Sequence, residues 1–539
     1  MNIIDKAISY INPQAGLKRE VARAQATVVK KFMNTGYSES GASTKKKSMK
    51  GWNSLSSSPE EDIDLNLFIL RNRCRDLYNS PLGRSAIHTT RTNVIGSGLR
   101  LKSRIDFKFL GLTEEEADEW EQNAEREFDL WASSVHCDSC RLNNFYEQQQ
   151  LAQLSWMQSG DVFALLKQTN PLPYMPYGLR IHLIEADRVS TPNSLNNVTS
   201  NGLFAIEGKG SNGNRIVSGV EIDSEGGVVA YHVSNRYPQS FYLMGNAETI
   251  KWTRVEAFGK LTGRRNILHL MESERPEQRR GVPFLAAVIE PLKQITRYTE
   301  AELMAAVISG MFTIFIKSEG SSGDNPLGSM MSDDDKVDSS DYSYEMAPGA
   351  VNVLAPGESV EIANPARPNA NFDGFVSSLT RYVGAALEIP QELLQKAFQS
   401  SYSAARAALL EAWKMFRMRR TWISSDFCQP IYEEWLSQAI AMGRIKAPGF
   451  FDDPVIKKAW CEAEWNGPAP GQIDPLKEIN AAEKRINNGI STREQETMEI
   501  NGGNFDKNIQ QAKREQNKMK DAGLIEDNTT LKGGENINV

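Results

Sequence analysis

The hydrophobic period of this chain changes twice, and that change limits what it can fold into. From Ser58 to Gly160 apolar residues recur at helical spacing. From Leu179 to Ser273 they alternate or form β-branched runs broken by Gly and Asn. From Gly281 the helical period returns. The order predicts an α+β fold, and 539 residues are too many for one core, so three or four compact units are expected.

Local signals place the elements. "SPEEDIDLNLFILRNRCRDLYNS" predicts a helix with Ser58 as N-cap and Pro59 at the first helical position. Helices follow in "PLGRSAIHTTRTNVIG", closed by Gly96, in "TEEEADEWEQNAEREFDLWASS" with Trp120, Ala124, Phe128 and Trp131 on one face, and in "NNFYEQQQLAQLSWMQSG". "LRIHLIEADRVS", "GLFAIEGKG", "GNRIVSGVEIDSEGGVVAYHVSN" and "RNILHLMES" read as strands.

"VPFLAAVIEPLKQITRYTEAELMAAVISG" reads as one long helix kinked at Pro291, since an interior proline costs about 3 kcal/mol. "MFTIFIKSEG" reads as a strand, and "AVNVLAPGESVEI" as its return. Between them, residues 319–345 carry eight Asp/Glu against one Lys. A second helix puts Phe372, Phe375, Leu379, Tyr382, Val383 and Ala386 on one stripe and stops before Pro390. A third follows in "QSSYSAARAALLEAWKMFRMRR".

The net charge of −7 excludes a general nucleic-acid coat and confines polyanion contact to local basic patches. No uncharged apolar run is long enough to span a bilayer, and the first residues lack the apolar stretch of a secretory signal, so no membrane partner is expected. Five cysteines fit free thiols in a reducing compartment.

Motifs for chemistry are sparse. His136, Cys137 and Cys140 have the spacing of half a zinc site, but no second pair completes it, so neither metal nor cofactor is expected. Asp333, Asp334 and Asp335 lie in a Ser/Gly-rich loop, which suits a solvated acidic face better than a rigid metal site. His88, His182, His232 and His269 read as structural. On the helix after Tyr402, Arg406, Lys414, Arg417 and Arg420 share about a third of the circumference, a face fit for phosphate or for acidic partners.

Several blocks then resemble a known family, the lambda-type portal proteins of tailed bacteriophages. "YSAARAALLEAW" is similar to the family's Tyr-Ser-Ser-Ala-Arg-Ala-x-x-x-Glu pattern. "ERPEQRRGVPFLAAVIEPL" resembles its Arg-Pro-Gly-Gln-x-Arg-Gly stretch, with Glu277 where glycine is expected, so the turn there is expected to differ. "TNVIGSGLRL", "IEADRV", "GVEIDSEGGVVAYHV" and "EWNGPAPGQIDPLKE" also resemble family blocks, in family order. The resemblance spans roughly residues 60–525.

It implies a non-enzymatic protein with a wing, stem, clip and crown, assembling into a ring of about twelve copies around an axial channel for double-stranded DNA. The implied regions are an N-terminal helix and basic arm (1–60), wing (61–281), first stem helix (282–309), clip with the acidic loop (310–369) and second stem helix (370–390). A channel loop (391–403), a long helix returning to the wing (404–472), a helical crown (473–525) and a disordered tail (526–539) follow.

Lys293, Arg297 and Arg381 would lie on the stem. Gln395, Lys396, Gln399, Ser400 and Ser401 would meet DNA without reading its sequence, with Lys396 the basic contact and Phe398 a packing anchor. Asp333, Asp334, Asp335, Asp338 and Asp341 would serve docking of the terminase large subunit and, later, of head–tail connectors. Arg406, Arg417 and Arg420 would lie on the helix returning to the wing or between subunits, and Arg417, Arg419 and Arg420 would lie away from the axis and pair with acids within or between subunits. The implied location is the capsid vertex of the virion, beside the major capsid protein or scaffold, after assembly in the host cytoplasm. The alternatives are a capsid-associated nuclease or protease using the aspartate cluster with a metal, and a DNA-binding scaffold without a closed ring.

Overall fold

The computed structural model describes residues 58–192, 196–200, 204–238, 250–310, 314–318, 358–362, 371–398, 401–471 and 474–524. The expected basic arm, the acidic segment 319–345 and the tail lie outside them. A π-helical turn over Glu60–Asp64 precedes helix α1 (Leu67–Tyr78). This corrects the single helix expected from Ser58. The wide turn brings Ile63 and Asp64 inward side by side, and the chain resets at Leu65 and Asn66.

Helix α2 (Pro81–Val94) starts where Ser80 Oγ accepts the Gly83 N–H at 3.2 Å, with Pro81 at a position that needs no donor. Strand β1 (Arg100–Ser103) leads to α3 (Glu114–Ala132) and α4 (Phe145–Ser159). Reciprocal capping boxes, Thr113 with Glu116 and Asn144 with Glu147, open these two helices. Ala124, Phe128 and Trp131 are buried as their spacing predicts, and Trp120 packs on Trp460 with ring centroids 4.9 Å apart.

Strands β2 (Asp161–Gln168) and β3 (Leu179–Glu185) pair antiparallel. Strands β4 (Asn196–Ser200), β5 (Phe204–Lys209), β6 (Arg215–Val217), β7 (Val220–Ile222), β8 (Val228–Ser234) and β9 (Trp252–Glu256) form a six-stranded antiparallel meander in chain order. Strand β10 (Ile267–Met271) then returns to the free edge of β2, Met271 opposite Asp161. The central strand β2 is absent from the sequence reading. "DVFALLKQ" is an apolar run without alternation because both its faces are covered. Val162 and Ala164 join the main core among the helices, while Phe163 enters a second core between the two sheets, edge-on to Tyr231 at 5.4 Å.

Helix α5 (Ile289–Gly310) follows a single 3₁₀ turn at Ala286–Val288. It starts seven residues later than periodicity suggests, so Pro291 falls in its first turn and the expected kink has no cause. Strands β11 (Ile314–Ser318) and β12 (Glu358–Ile362) pair antiparallel. Helices α6 (Phe372–Ala386), α7 (Gln391–Gln395) and α8 (Tyr402–Ile423) follow.

A π-turn at Ser424–Cys428 joins α8 to α9 (Gln429–Ala441). The wide turn falls where Pro430, lacking an N–H, would clash with the Asp426 carbonyl of a regular helix. After α10 (Pro454–Cys461), strand β13 (Ala463–Asn466) pairs with β1, Arg100 opposite Asn466, so the chain closes back on its beginning. Three helices end the described chain: α11 (Pro475–Asn487), capped by Asp474, α12 (Arg493–Asn501) and α13 (Phe505–Asp521). No helix among the described residues is long and apolar enough to cross a membrane.

One buried charge cluster joins these pieces. Asp161, the first residue of the central strand, is fully buried. It accepts from Arg280 Nε at 2.6 Å, Arg280 Nη2 at 3.2 Å and Arg71 Nη2 at 2.9 Å, with His269 Nε2 at 3.2 Å. Arg71 also donates to the Ser159 carbonyl at 2.7 Å and to Asp187 at 3.1 Å. Arg280 spends its remaining donors on the carbonyls of Ala186, Val189 and Ser218, at 2.6, 2.7 and 2.6 Å. Burial opposes the Asp161 charge, but the two guanidiniums outweigh it and hold the carboxyl well below its ordinary range.

The stretch "RPEQRRG" now has a physical reading. Gln278 Oε1 accepts from the Glu274 and Arg275 N–H groups at 2.9 and 3.1 Å, and its Nε2 donates to the Arg280 carbonyl at 2.8 Å. Gly281 passes so close to Gly160 that a Cβ on it would lie 1.9 Å from the Gly160 oxygen. Glu277 sits at φ +63°, a region glycine enters freely and other residues enter at a cost. The turn therefore follows a glycine-type path at Glu277.

Two predictions follow from this cluster. Arg280→Met leaves Asp161 buried beside a single arginine and should cost about 3–5 kcal/mol in denaturant unfolding, whereas Glu277→Gly should gain roughly 0.5–1 kcal/mol.

The second concerns pH. Asp64 is buried beside the cluster, and burial raises its pKa to about 6. Between about pH 4 and 6 the unfolded carboxyl ionises while the folded one keeps its proton, so this group lowers stability as pH rises and levels off above 6. Asp161 acts with the opposite sign: its contribution is full above about pH 4 and is lost as pH falls below that. Asp64→Asn should gain on the order of 2 kcal/mol at pH 8 and almost nothing at pH 4, measured by unfolding across that range.

Candidate nucleic-acid interface

The segment expected to project into a channel begins as a held structure. Helix α6 ends at Ala386, and Glu388 at φ +57° turns the chain into Pro390 and α7. Gly384 permits this return, since a Cβ there would lie 2.5 Å from the Ile389 oxygen. Leu394 is buried in the main core, and its carbonyl accepts from Ser85 Oγ at 2.6 Å. Residues 391–395 are therefore helix and not loop, which corrects the sequence expectation. The apolar Leu394 and the cap at Pro390 favour the turn of helix over an open strand.

Lys396 closes α7 at φ +55° and donates to Thr89 Oγ1 at 2.8 Å. Gln395 donates to Thr380 Oγ1 at 3.3 Å and accepts from Gln391 at 3.0 Å. Phe398, the expected packing anchor, is 62% exposed within the chain. Gln399 and Ser400 lie outside the described residues. Ser401 caps helix α8, its Oγ accepting from the Ala404 N–H at 3.4 Å.

On the long helices, Lys293 and Arg297 are exposed four residues apart on α5. Arg381 is exposed on α6 and donates back to Ser378 Oγ at 3.2 Å. Between the end of α6 and α8 lies a groove of about 550 Å³, floored by Ala385, Ile389, Pro390, Ala412, Met415 and Met418 and rimmed by Arg381, Glu388, Glu411 and Lys414.

The basic end of α8 serves the fold. Arg419 is buried, 3.3 Å from Glu272, with its guanidinium 4.8 Å from the Phe284 ring centre. Arg417 lies 3.9 Å from Glu499, Arg406 3.8 Å from Glu478, and Lys414 2.6 Å from Glu411. Arg420 departs from the expected acid pairing. It donates to the carbonyls of Asn93, Val94 and Pro468 at 2.9, 3.0 and 2.7 Å, tying α2 to the chain beyond β13. Burial first, then the neighbouring Arg417, lowers its pKa to about 10. The alternation of "KMFRMRR" carries no signal for this, because the acceptors are backbone groups distant in sequence.

Elsewhere the geometry is structural. His88 meets Tyr78 at 2.8 Å, His232 meets Glu221 at 3.1 Å and His182 meets Cys140 at 3.7 Å. Burial lowers the pKa of all three, as it does for His269. Cys137 is buried and Cys140 exposed, and no group of three His, Cys, Asp or Glu suited to a metal occurs among the described residues. Asp333, Asp334, Asp335, Asp338 and Asp341 lie outside the described residues.

Three comparisons bear on this arrangement. The family model for the phage portal protein, lambda family, matches residues 45–420. The portal protein of Escherichia phage N15 is 25% identical over 499 residues, covering 88% of this chain and 89% of its own length. Portal protein B of Escherichia phage lambda is 26% identical over 495 residues, covering 88% of each. Among solved structures, a chain of the "neck of empty GTA particle computed with C6 symmetry" matches with a TM-score of 0.42 and 13% identity, over 79% of this chain and 94% of that one.

Proposed function

Since the chain belongs to the lambda family of phage portal proteins, which are structural components of the virion and not enzymes, we propose that copies of it close into a ring around an axial channel through which double-stranded DNA is packaged and later ejected. The observation that carries this reading is an uncovered apolar face on the long helices. Leu303, Met304 and Val307 of α5 and Phe375 and Tyr382 of α6 are all exposed. The two helices touch each other through Tyr298 and Phe375, with ring centroids 4.8 Å apart, yet leave Leu303, Met304, Val307 and Tyr382 exposed among the described residues. An apolar face of this kind marks a protein contact, and in a ring the neighbouring copy supplies it.

Lys293, Arg297 and Arg381 would supply the basic surface near the bore. A ring repeats each side chain in every copy, so a few cations make a belt of charge, while every added phosphate contact releases counterions and slows sliding. Gln395, Lys396 and Ser401 make contacts within the fold, to Thr380, to Thr89 and to the Ala404 N–H, so Phe398, which is exposed, with Gln399 and Ser400 would meet the DNA. The acidic segment 319–345, with Asp333, Asp334, Asp335, Asp338 and Asp341, would steer the basic surface of the packaging motor and then of the head–tail connector.

Native mass measurement with one image down the assembly axis tests the ring. The wild-type chain should give a closed oligomer with a central hole. Leu303→Glu with Tyr382→Glu should leave a folded monomer with unchanged circular dichroism. A wild-type monomer, or metal-dependent DNA cleavage lost in Asp334→Ala, would return the enzyme alternative.

Deleting 323–345 should weaken motor docking several-fold more at 50 mM salt than at 500 mM, because long-range charge steering is screened at the higher value. An equal loss at both salts would remove the steering role.

A further inference from the structure

Strand β1 offers its two edges to different partners. One edge pairs with β13, and just past the strand the Arg104 N–H donates to the Glu462 carbonyl at 2.9 Å. On the other edge the N–H groups of Ser103 and Ile105 meet no strand among the described residues. They donate to carboxylates of α3 instead, to Glu125 at 3.2 Å and to Glu121 at 2.9 Å. Glu121 is only 7% exposed. Ser103 Oγ and the Tyr432 hydroxyl are buried beside the same two carboxylates, and neither makes a hydrogen bond among the described residues.

The cations of this segment are shared between two sets of acids. Lys102 lies 3.7 Å from Glu125 and 2.7 Å from the half-exposed Asp506 of α13. Arg104 lies 3.8 Å from Glu464 of β13, pairs with Glu494 of α12 and feels the charge of Glu121. Two residues apart on an extended chain, Lys102 and Arg104 point to the same side. Lys507 of α13 adds a third positive charge near Glu125. Burial keeps the Tyr432 phenol of α9 and the Cys461 thiol of α10 neutral. Five carboxylates, Glu121, Glu125, Glu464, Glu494 and Asp506, thus draw on three cations.

The charge on Glu121 decides how far those cations are drawn inward. Burial raises its pKa to about 7, against the Ile105 N–H and the charges of Arg104 and Lys102. Neutral, Glu121 leaves Lys102 to Asp506 and Arg104 to Glu494. Ionised, it is a buried charge with one backbone donor, and it competes for both cations.

We propose that Glu121 is a proton-controlled latch on the last two helices: with its proton on, α12 and α13 sit on Arg104 and Lys102, and with its proton off the two cations turn inward and the helices lift. The latch works within one copy and does not depend on the ring. Seated helices cover Lys102 and Arg104 and keep water from Glu121 behind them, so its pKa is higher seated than lifted. The preference for the seated state is therefore full below the ordinary value of 4.5 and is lost as pH rises through about 7.

Hydrogen exchange on the full-length chain tests this at about pH 5.5 and about pH 8, read as protection relative to the intrinsic rate at each pH. Protection of the 493–521 amides should fall about tenfold at the higher pH, while that of α9 in the core stays unchanged. Glu121→Gln keeps the acceptor for Ile105 and cannot ionise, so it should hold the higher protection at both pH values. Asp506→Asn should lower protection several-fold at the lower pH.

A wild-type chain protected equally over 493–521 at both pH values overturns the latch, whether or not the variants fold. A fall of the same size in Glu121→Gln, with α9 still protected, overturns it too, because another group would then be titrating.

Discussion

The fold depends on how Asp161 is neutralised. A carboxylate wholly out of water is among the costliest groups a protein can bury, and it is tolerated only where cations and donors surround it. Here two arginines do so, and they come from opposite ends of a long stretch: Arg71 from the first regular helix, Arg280 from the turn just before the long helix α5. Asp187 supplies a second anion to Arg71, and His269, its pKa lowered by burial, adds a hydrogen bond without a third positive charge. Arg280 also gathers three carbonyls from two turns of the sheet region, Ala186 and Val189 in one and Ser218 in the other. The cluster fixes where the central strand begins, where the meander docks and where the chain leaves toward α5. Eight residues lie between Arg280 and Ile289, so the exit of the long helix is set beside the most constrained point of the molecule.

Local chemistry was legible from the sequence, and distant chemistry was not. Ser80, the Thr113 and Asn144 boxes and Asp474 act on neighbours three residues away, whereas Ser58, the N-cap expected for the first helix, precedes a π-helical turn and not the regular helix. Strand β2 escaped because a strand buried on both faces loses its alternation, and here it follows α4 after one glycine. Pro291 was misread for a related reason: periodicity ran through the 3₁₀ turn and hid the true start of α5. Arg71, Asp161 and Arg280 are separated by 90 and 119 residues. Nothing in their immediate surroundings marks them as partners, although the resemblance of "ERPEQRRG" to a family block pointed at the right stretch.

The candidate channel segment shows the same division. Its small and uncharged character was readable, but the commitments of Lys396 to Thr89 and of Arg420 to three carbonyls were not. Both cations looked available because a sequence displays side-chain charge and conceals which distant acceptor will meet it, here the Thr89 hydroxyl for Lys396 and three backbone carbonyls for Arg420.

Three kinds of cohesion thus occur along one chain, and their order has a mechanical consequence. The body is held by a continuous apolar core and the Asp161 cluster, so it resists deformation. The long helices are half-covered and expose an apolar face, so their packing is completed from outside. The last three helices are tethered by ion pairs beside open clefts, and partly exposed pairs weaken with salt and permit small displacements at low cost. In the ring proposed above, the stiff body would keep a channel open against a polyelectrolyte forced through it, and the more compliant contacts would let the same ring seat more than one partner without rebuilding its core.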